Sequence, residues 1–201
     1  MGVLVGKPAP DFTSGAVLGN GEIVDEFNLS TTIKGKKAVV FFYPLDFTFV
    51  CPSELIAFDH RIEEFKKRGV EVIGVSIDSV FTHNAWRNTA VNDGGIGAVR
   101  YPLVADMKHE ICKAYDVEFD AAGVAFRGSF LIDEDGIVRH QVVNDLPLGR
   151  DIDEMLRIID ALSFHQEHGE VCPAGWKQGD KGMSASPDGV ASYLAENADS
   201  L

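Results

Sequence analysis

Between Lys37 and Tyr43 every residue after the lysine is apolar or aromatic (Ala-Val-Val-Phe-Phe-Tyr), and Pro44 ends the run. An unbroken stretch of this kind is the pattern of a strand buried on both faces. From Pro52 to Arg68 the period becomes helical. Leu55, Phe58, Ile62 and Phe65 share one face, Pro52 suits a first-turn position and Gly69 is a stop. Val70 to Ile77 reads as a second buried strand that ends at Asp78-Ser79. A helix is predicted from Phe81 to Val91, a loop over Asn92 to Gly97, and a short helix from Met107 to Tyr115. Phe126 to Ile132 and Ile137 to Val143 flank Asp133-Glu134-Asp135-Gly136, a hairpin signature. Ile152, Met155, Leu156, Ile159 and Leu162 then mark a long amphipathic helix ending near Gly169.

A strand–helix–strand opening followed by a hairpin and a helix predicts an α/β fold, with a mixed sheet flanked by helices on both faces. Beyond Gly169 the periodicity fades into Pro and Gly, with one last helix after Ser186-Pro187. Residues 1–168 are therefore expected to form the core domain and 169–201 a C-terminal arm.

Composition narrows the function. The 201 residues carry 18 Lys and Arg against 31 Asp and Glu, a formal charge of −13. That balance repels phosphate backbones and anionic lipid, so neither nucleic acid nor membrane is an expected partner. The one basic cluster, Lys34-Gly35-Lys36-Lys37, reads as a solvated turn, and the longest apolar run (Ala38 to Leu45) is too short to span a bilayer. The N-terminal stretch has no basic region followed by a long apolar core, so a cytoplasmic protein is expected. Its three cysteines, Cys51, Cys112 and Cys172, are too few and too scattered for a disulfide framework.

Cys51 stands out because it falls between the first strand and the helix that begins near Pro52. Backbone N–H groups and the dipole at a helix start favour negative charge, and thiolate is the reactive form of cysteine. Pro44 and Pro52 stiffen the approach, and Thr48 lies one short turn away. The alternative is that Cys51 is a small buried hydrophobe, as most free cysteines are. A thiolate here needs a cation, and Arg127 lies inside an otherwise apolar strand. Arginine in a buried strand is costly unless it meets an anion, which is either the Cys51 thiolate or a carboxylate such as Glu54. Cys112, on a helix with apolar neighbours, reads as inert core. Cys172 sits in a loop rich in turn residues, Gly169-Glu170-Val171-Cys172-Pro173-Ala174-Gly175-Trp176, a setting suited to disulfide exchange. No Cys-x-x-Cys motif is present, which excludes a local dithiol.

These segments resemble the typical two-cysteine peroxiredoxins, including the alkyl hydroperoxide reductase peroxidase subunit. The resemblance rests on residues 41–52 (Phe-Phe-Tyr-Pro-Leu-Asp-Phe-Thr-Phe-Val-Cys-Pro), Gly94-Gly95-Ile96-Gly97, Val143 to Arg150 and Gly169 to Trp176, in the family's order along almost the whole chain. It implies a thioredoxin-like fold and a peroxidase with no metal or prosthetic group. Cys51 would then be the peroxidatic cysteine, in a Pro-x-x-x-Thr-x-x-Cys pattern with Pro44 and Thr48. Thr48 would hydrogen-bond the peroxide, Arg127 would hold the thiolate, Pro44 would shield the pocket, and Glu54 and Arg150 would orient Arg127. Cys172 would be the resolving cysteine, forming an intersubunit disulfide after the first turn past Cys51 unwinds. The implied partners are hydroperoxide substrates, thioredoxin or a flavoprotein disulfide reductase as electron donor, and a second copy in a homodimer, five of which close into a ring. The family's Gly-Gly-x-Gly loop is kept, but Leu194 follows Tyr193 where the family has an aromatic. Intermediate sensitivity to overoxidation is therefore expected, and full resistance at millimolar-scale peroxide would count against it.

Other signals are weaker. Gly95-Ile96-Gly97 lacks the third glycine of a dinucleotide fingerprint, and Gly74-Val75-Ser76-Ile77-Asp78 lacks the last glycine of a nucleophile elbow. His165 and His168 read as a solvated helix end, and Trp86 and Phe47 as core or interface. A cysteine hydrolase using His60 or His83 is disfavoured because no motif places a histidine beside the sulfur. The alternative from another class is a redox-controlled holdase or peroxide-signalling relay, separable by client aggregation against peroxide turnover.

Overall fold

The computed structural model describes residues 2–200 and divides into two compact units, Met1–Ile152 and Asp153–Leu201. The first unit opens with a hairpin of β1 (Thr13–Val17) and β2 (Ile23–Asn28), then the short helix α1 (Leu29–Thr32) and β3 (Lys37–Phe42). Two helices follow, α2 (Cys51–His60) and α3 (Ile62–Lys67), before β4 (Val70–Ser76), α4 (Val80–Asn88), β5 (Leu103–Ala105) and α5 (Glu110–Ala114). A small ribbon of β6 (Glu118–Phe119) and β7 (Val124–Ala125) leads into β8 (Arg127–Ile132) and β9 (Val138–Asn144).

The main sheet has the order β2-β1-β5-β4-β3-β8-β9. The β3–β4 and β4–β5 pairs are parallel and the other pairs antiparallel, so the sheet is mixed, in a thioredoxin-like arrangement. All six residues of β3 are buried, as the unbroken apolar run requires of a strand between two neighbours. Aromatic packing fills the space over it. Phe41 stacks on Phe58 of α2 at 4.1 Å between centroids, and Phe42 meets Tyr115 and Phe130 at 5.1 and 5.9 Å.

The helix expected from Pro52 to Arg68 is broken at Arg61. Its φ of −103° and ψ of 5° leave the helical region, and its N–H bonds back to the Phe58 carbonyl in a tightened last turn. The predicted apolar face survives the break, since Leu55, Phe58, Ile62 and Phe65 are all buried. In the Gly94–Gly97 loop only Gly95 is tightly packed: a Cβ there would lie 2.0 Å from the Thr89 carbonyl oxygen.

The second unit contains most of α6 (Ile152–His168) and α7 (Pro187–Asn197). Between them, Val171 and Met183 form a β-bridge. Trp176 is buried, its ring 4.9 Å from that of Phe164 and its carbonyl accepting from Arg157. Ser186 caps α7 by accepting the Gly189 N–H, with Pro187 in the first turn. Among the described residues no helix is long and apolar enough to cross a membrane.

Candidate active site

Cys51 is the first residue of α2 and is fully buried. The loop that delivers it, Pro44 to Val50, is fastened on the side away from the sulfur. The Asp46 N–H donates to Asp78 Oδ2 at 2.9 Å, and the Tyr43 hydroxyl donates to Asp46 Oδ1 at 2.8 Å. His83 Nδ1 lies 2.7 Å from Asp46 Oδ2, and His83 Nε2 lies 3.2 Å from the Val104 carbonyl. A carbonyl only accepts, so the Nε2 position carries a proton. Desolvation raises the Asp46 carboxyl above its ordinary range, opposed by its bond to His83. Sequence reading missed this anchor, because its groups come from separate segments and only spatial closeness links them.

On the other side, three charged side chains interlock, and one of them reaches the sulfur. Arg127 Nη1 lies 3.4 Å from Cys51 Sγ and 2.6 Å from Glu54 Oε2, while its Nε donates to the Leu146 carbonyl at 2.7 Å. Arg150 grips the same carboxylate, with Nε 2.8 Å from Oε1 and Nη2 2.9 Å from Oε2. It also donates to the carbonyls of Phe42 and Gly128 and to Ser129, and its guanidinium lies 5.2 Å from the centre of the Phe41 ring. The three side chains are only 2–4% exposed. Two arginines against one glutamate leave one positive charge, which is costly to bury alone. A thiolate at Cys51 would neutralise it. The ion pair with Glu54 is present, and the same Nη1 faces the sulfur as well.

Thr48 Oγ1 lies 3.0 Å from Cys51 Sγ and 2.8 Å from the Leu45 carbonyl. One hydroxyl proton cannot serve both at once, so the bond to sulfur is directed by the sulfur's own protonation state. Pro44 is buried at the head of the same loop. Thr48, Cys51, Glu54, Arg127 and Arg150 therefore form one connected group, reached from the loop before α2, the first turn of α2, the start of β8 and the loop after β9.

Cys172 belongs to the second unit, where it is partly exposed and lies 3.4 Å from the Ala161 carbonyl. Desolvation raises its thiol, partly offset by Arg157. Cys112 is buried in the core under α5, as expected, and its thiol is pushed up to about 12, first by desolvation and then by Asp106. The histidines proposed for a hydrolase are elsewhere: His60 is exposed at the far end of α2, and both ring nitrogens of His83 are engaged by Asp46 and Val104. His165 bonds the Glu170 carbonyl at 2.7 Å. Trp86 is fully buried, while Phe47 is half exposed with its ring 5.7 Å from it.

Residues 5–141 match the AhpC/TSA family, about two thirds of the chain, and residues 161–196 match the C-terminal domain of 1-Cys peroxiredoxin. The chain belongs to the AhpC/TSA family, among the typical two-cysteine peroxiredoxins. It is 58% identical over 196 residues to alkyl hydroperoxide reductase C of Helicobacter pylori, covering 98% of each chain. With peroxiredoxin-1 of Gallus gallus it shares 54% over 175 residues, 87% of each. The crystal structure of reduced 2-Cys peroxiredoxin from Plasmodium vivax superposes with a TM-score of 0.93 at 48% identity, covering 96% of this chain and all of that one. The peroxiredoxin sheet is therefore the frame on which the Cys51 group is built.

Proposed function

We propose that Cys51 is the residue through which this chain, by family a thiol-dependent peroxidase, reduces hydroperoxides. The Cys51 thiolate attacks one peroxide oxygen in line with the O–O bond. The S–O bond forms as the O–O bond breaks, and the leaving oxygen departs as alkoxide or hydroxide and takes up a proton. The products are a sulfenic acid and an alcohol or water.

The observation that carries this reading is the convergence of Arg127 at 3.4 Å and Thr48 at 3.0 Å on a buried sulfur at a helix start. The Thr48 hydroxyl accepts from the bound peroxide. Arg127 faces both the sulfur and the charge that grows on the leaving oxygen, a positioning and electrostatic role. Glu54, itself gripped by Arg150, holds that guanidinium in place, and Pro44 excludes water. The Cys172 thiol, on the arm 169–201 of a partner subunit, then attacks the sulfenic sulfur, releasing water and leaving a disulfide. A dithiol donor, thioredoxin or a flavoprotein disulfide reductase, returns both cysteines to thiols. Assembly of dimers into a ring is part of the same proposal. It is supported by Phe81 and Met107, largely exposed beside a concavity of about 540 Å³ that also takes in Phe12 and Tyr115.

Single-turnover consumption of hydrogen peroxide by prereduced protein, with products run on a non-reducing gel, tests the assignment. Stoichiometric loss of peroxide with a disulfide-linked dimer is expected. Cys51→Ser should abolish both, and Cys172→Ser should abolish the dimer alone. Consumption that persists in Cys51→Ser would overturn it.

A further inference from the structure

A second cluster in the first unit has the makings of a metal centre and takes no part in the chemistry above. His109, Cys112 and Glu118 each present a ligand atom, and these atoms all lie within 4.8 Å of one another. Their placement follows from local structure. His109 is the N-cap of α5 and Cys112 lies three residues on, in the first turn of that helix. Asp106 fixes that start by accepting the N–H groups of Ile111 and Cys112 at 3.0 and 2.7 Å. Glu118 opens β6, where His109 Nδ1 lies 2.8 Å from its Oε1.

We propose that His109, Cys112 and Glu118 bind a thiophilic divalent cation of the zinc class. Tetrahedral zinc with bonds of about 2.0–2.3 Å sets its ligand atoms roughly 3.3–3.8 Å apart. The cluster brackets that range: the His109–Glu118 pair opens slightly from 2.8 Å, and no pair starts beyond 4.8 Å. Imidazole, thiolate and carboxylate together are a donor set that suits zinc.

A water would complete the fourth position. Lys113 Nζ, 3.6 Å from Glu118 Oε2 and 60% exposed, is the group the metal would displace. Binding would release the Cys112 thiol proton to solvent. Access is through the partly exposed His109 and Glu118, while Cys112 itself is buried. The other cluster of possible ligands, Asp46, Asp78 and His83, has no sulfur, and both nitrogens of its imidazole are already engaged. A cation at His109 would clamp α5 to β6, in the segment that runs through β7 into Arg127.

The test uses untagged, prereduced, full-length protein carrying Cys51→Ser and Cys172→Ser, so that Cys112 is the only thiol and peroxidase activity plays no part. Cobalt(II) titration should give a near-ultraviolet thiolate-to-cobalt absorption saturating at one equivalent and displaced by zinc. Cys112→Ser should remove the band, and Glu118→Gln should weaken cobalt binding about tenfold or more. Absence of the band, or its survival in Cys112→Ser, would overturn the proposal. If Cys112→Ser does not fold, Glu118→Gln decides alone, and unchanged affinity there overturns it.

Discussion

Cys51 and Cys112 are hidden from solvent to the same degree, 0% and 1% exposed, and both lie at the start of a helix. They differ in what faces the sulfur. Around Cys51 stand the Arg127 guanidinium and the Thr48 hydroxyl. Cys112 instead has Asp106 and Glu118 near it, and burial together with those carboxylates pushes its thiol up to about 12. Burial alone therefore does not make a thiol reactive or inert. It amplifies whatever charge is nearby, because a low-dielectric surrounding strengthens attraction and repulsion alike.

The strongest way to break this contrast is to take away the cation. Arg127→Met should slow peroxide consumption by about 10²–10³-fold, the usual cost of losing a charge-stabilising donor. Alkylation of Cys51 by iodoacetamide should slow with it, while Cys112 stays unmodified in both proteins. Mass spectrometry of the two cysteine peptides checks this; equal Cys51 labelling in the variant would show that the guanidinium does not govern the sulfur.

Thr48 offers a smaller perturbation. Thr48→Val keeps the shape of the side chain and deletes its hydroxyl, so the rate should fall about 10- to 100-fold, the equivalent of one or two buried hydrogen bonds. Thr48→Ser should restore most of it. Stopped-flow rates for the pair would separate a hydrogen-bonding role from simple packing.

The same rule extends to buried carboxylates, where the effect should be smallest. Asp133 is 1% exposed, and burial on its own would raise its pKa. The Ile137 and Asp135 N–H groups and the Arg139 guanidinium outweigh that and hold it below 3.8. A depressed folded-state value means that ionised Asp133 stabilises the fold above the ordinary carboxylate range, and that this contribution is lost as pH falls through the depressed value. Asp133→Asn should thus cost about 1 kcal/mol at pH 7 and progressively less below about pH 4. Urea denaturation at pH 7 and pH 3 would show whether the gap closes.

Some of this was open to inspection in the sequence. The run Ala38 to Tyr43 could only be a central strand, and the spacing of Leu55, Phe58, Ile62 and Phe65 survived as a buried face even where Arg61 broke the helix. Arg127 announced itself as a charge in an apolar strand. The hairpin β1–β2 was silent because three of the five β1 residues are only partly buried or exposed, so no alternation is visible. The two-residue strands β6 and β7 and the three-residue β5 are too short to carry a period. Within the site, the roles of Glu54 and Arg150 came from family resemblance rather than from spacing. Their contact spans 96 positions and depends on the loop after β9 folding back to α2. The Tyr43–Asp46–His83 anchor had no sequence signal for the same reason.

Glu54 lies in the first turn of the helix that Cys51 begins, and both arginines hold it. With Cys51 as the proposed thiolate, the reduced site would be a small neutral salt, closed by the sulfur's negative charge. Turning that sulfur into an uncharged sulfenic acid leaves an unbalanced cation sealed among Phe41, Phe58 and the sheet. The pocket is then a poorer home for its own contents, and water becomes the better counter-charge. Oxidation would thus loosen the first turn of α2 by itself, so that the chemistry at one atom sets the timing of the helix's opening.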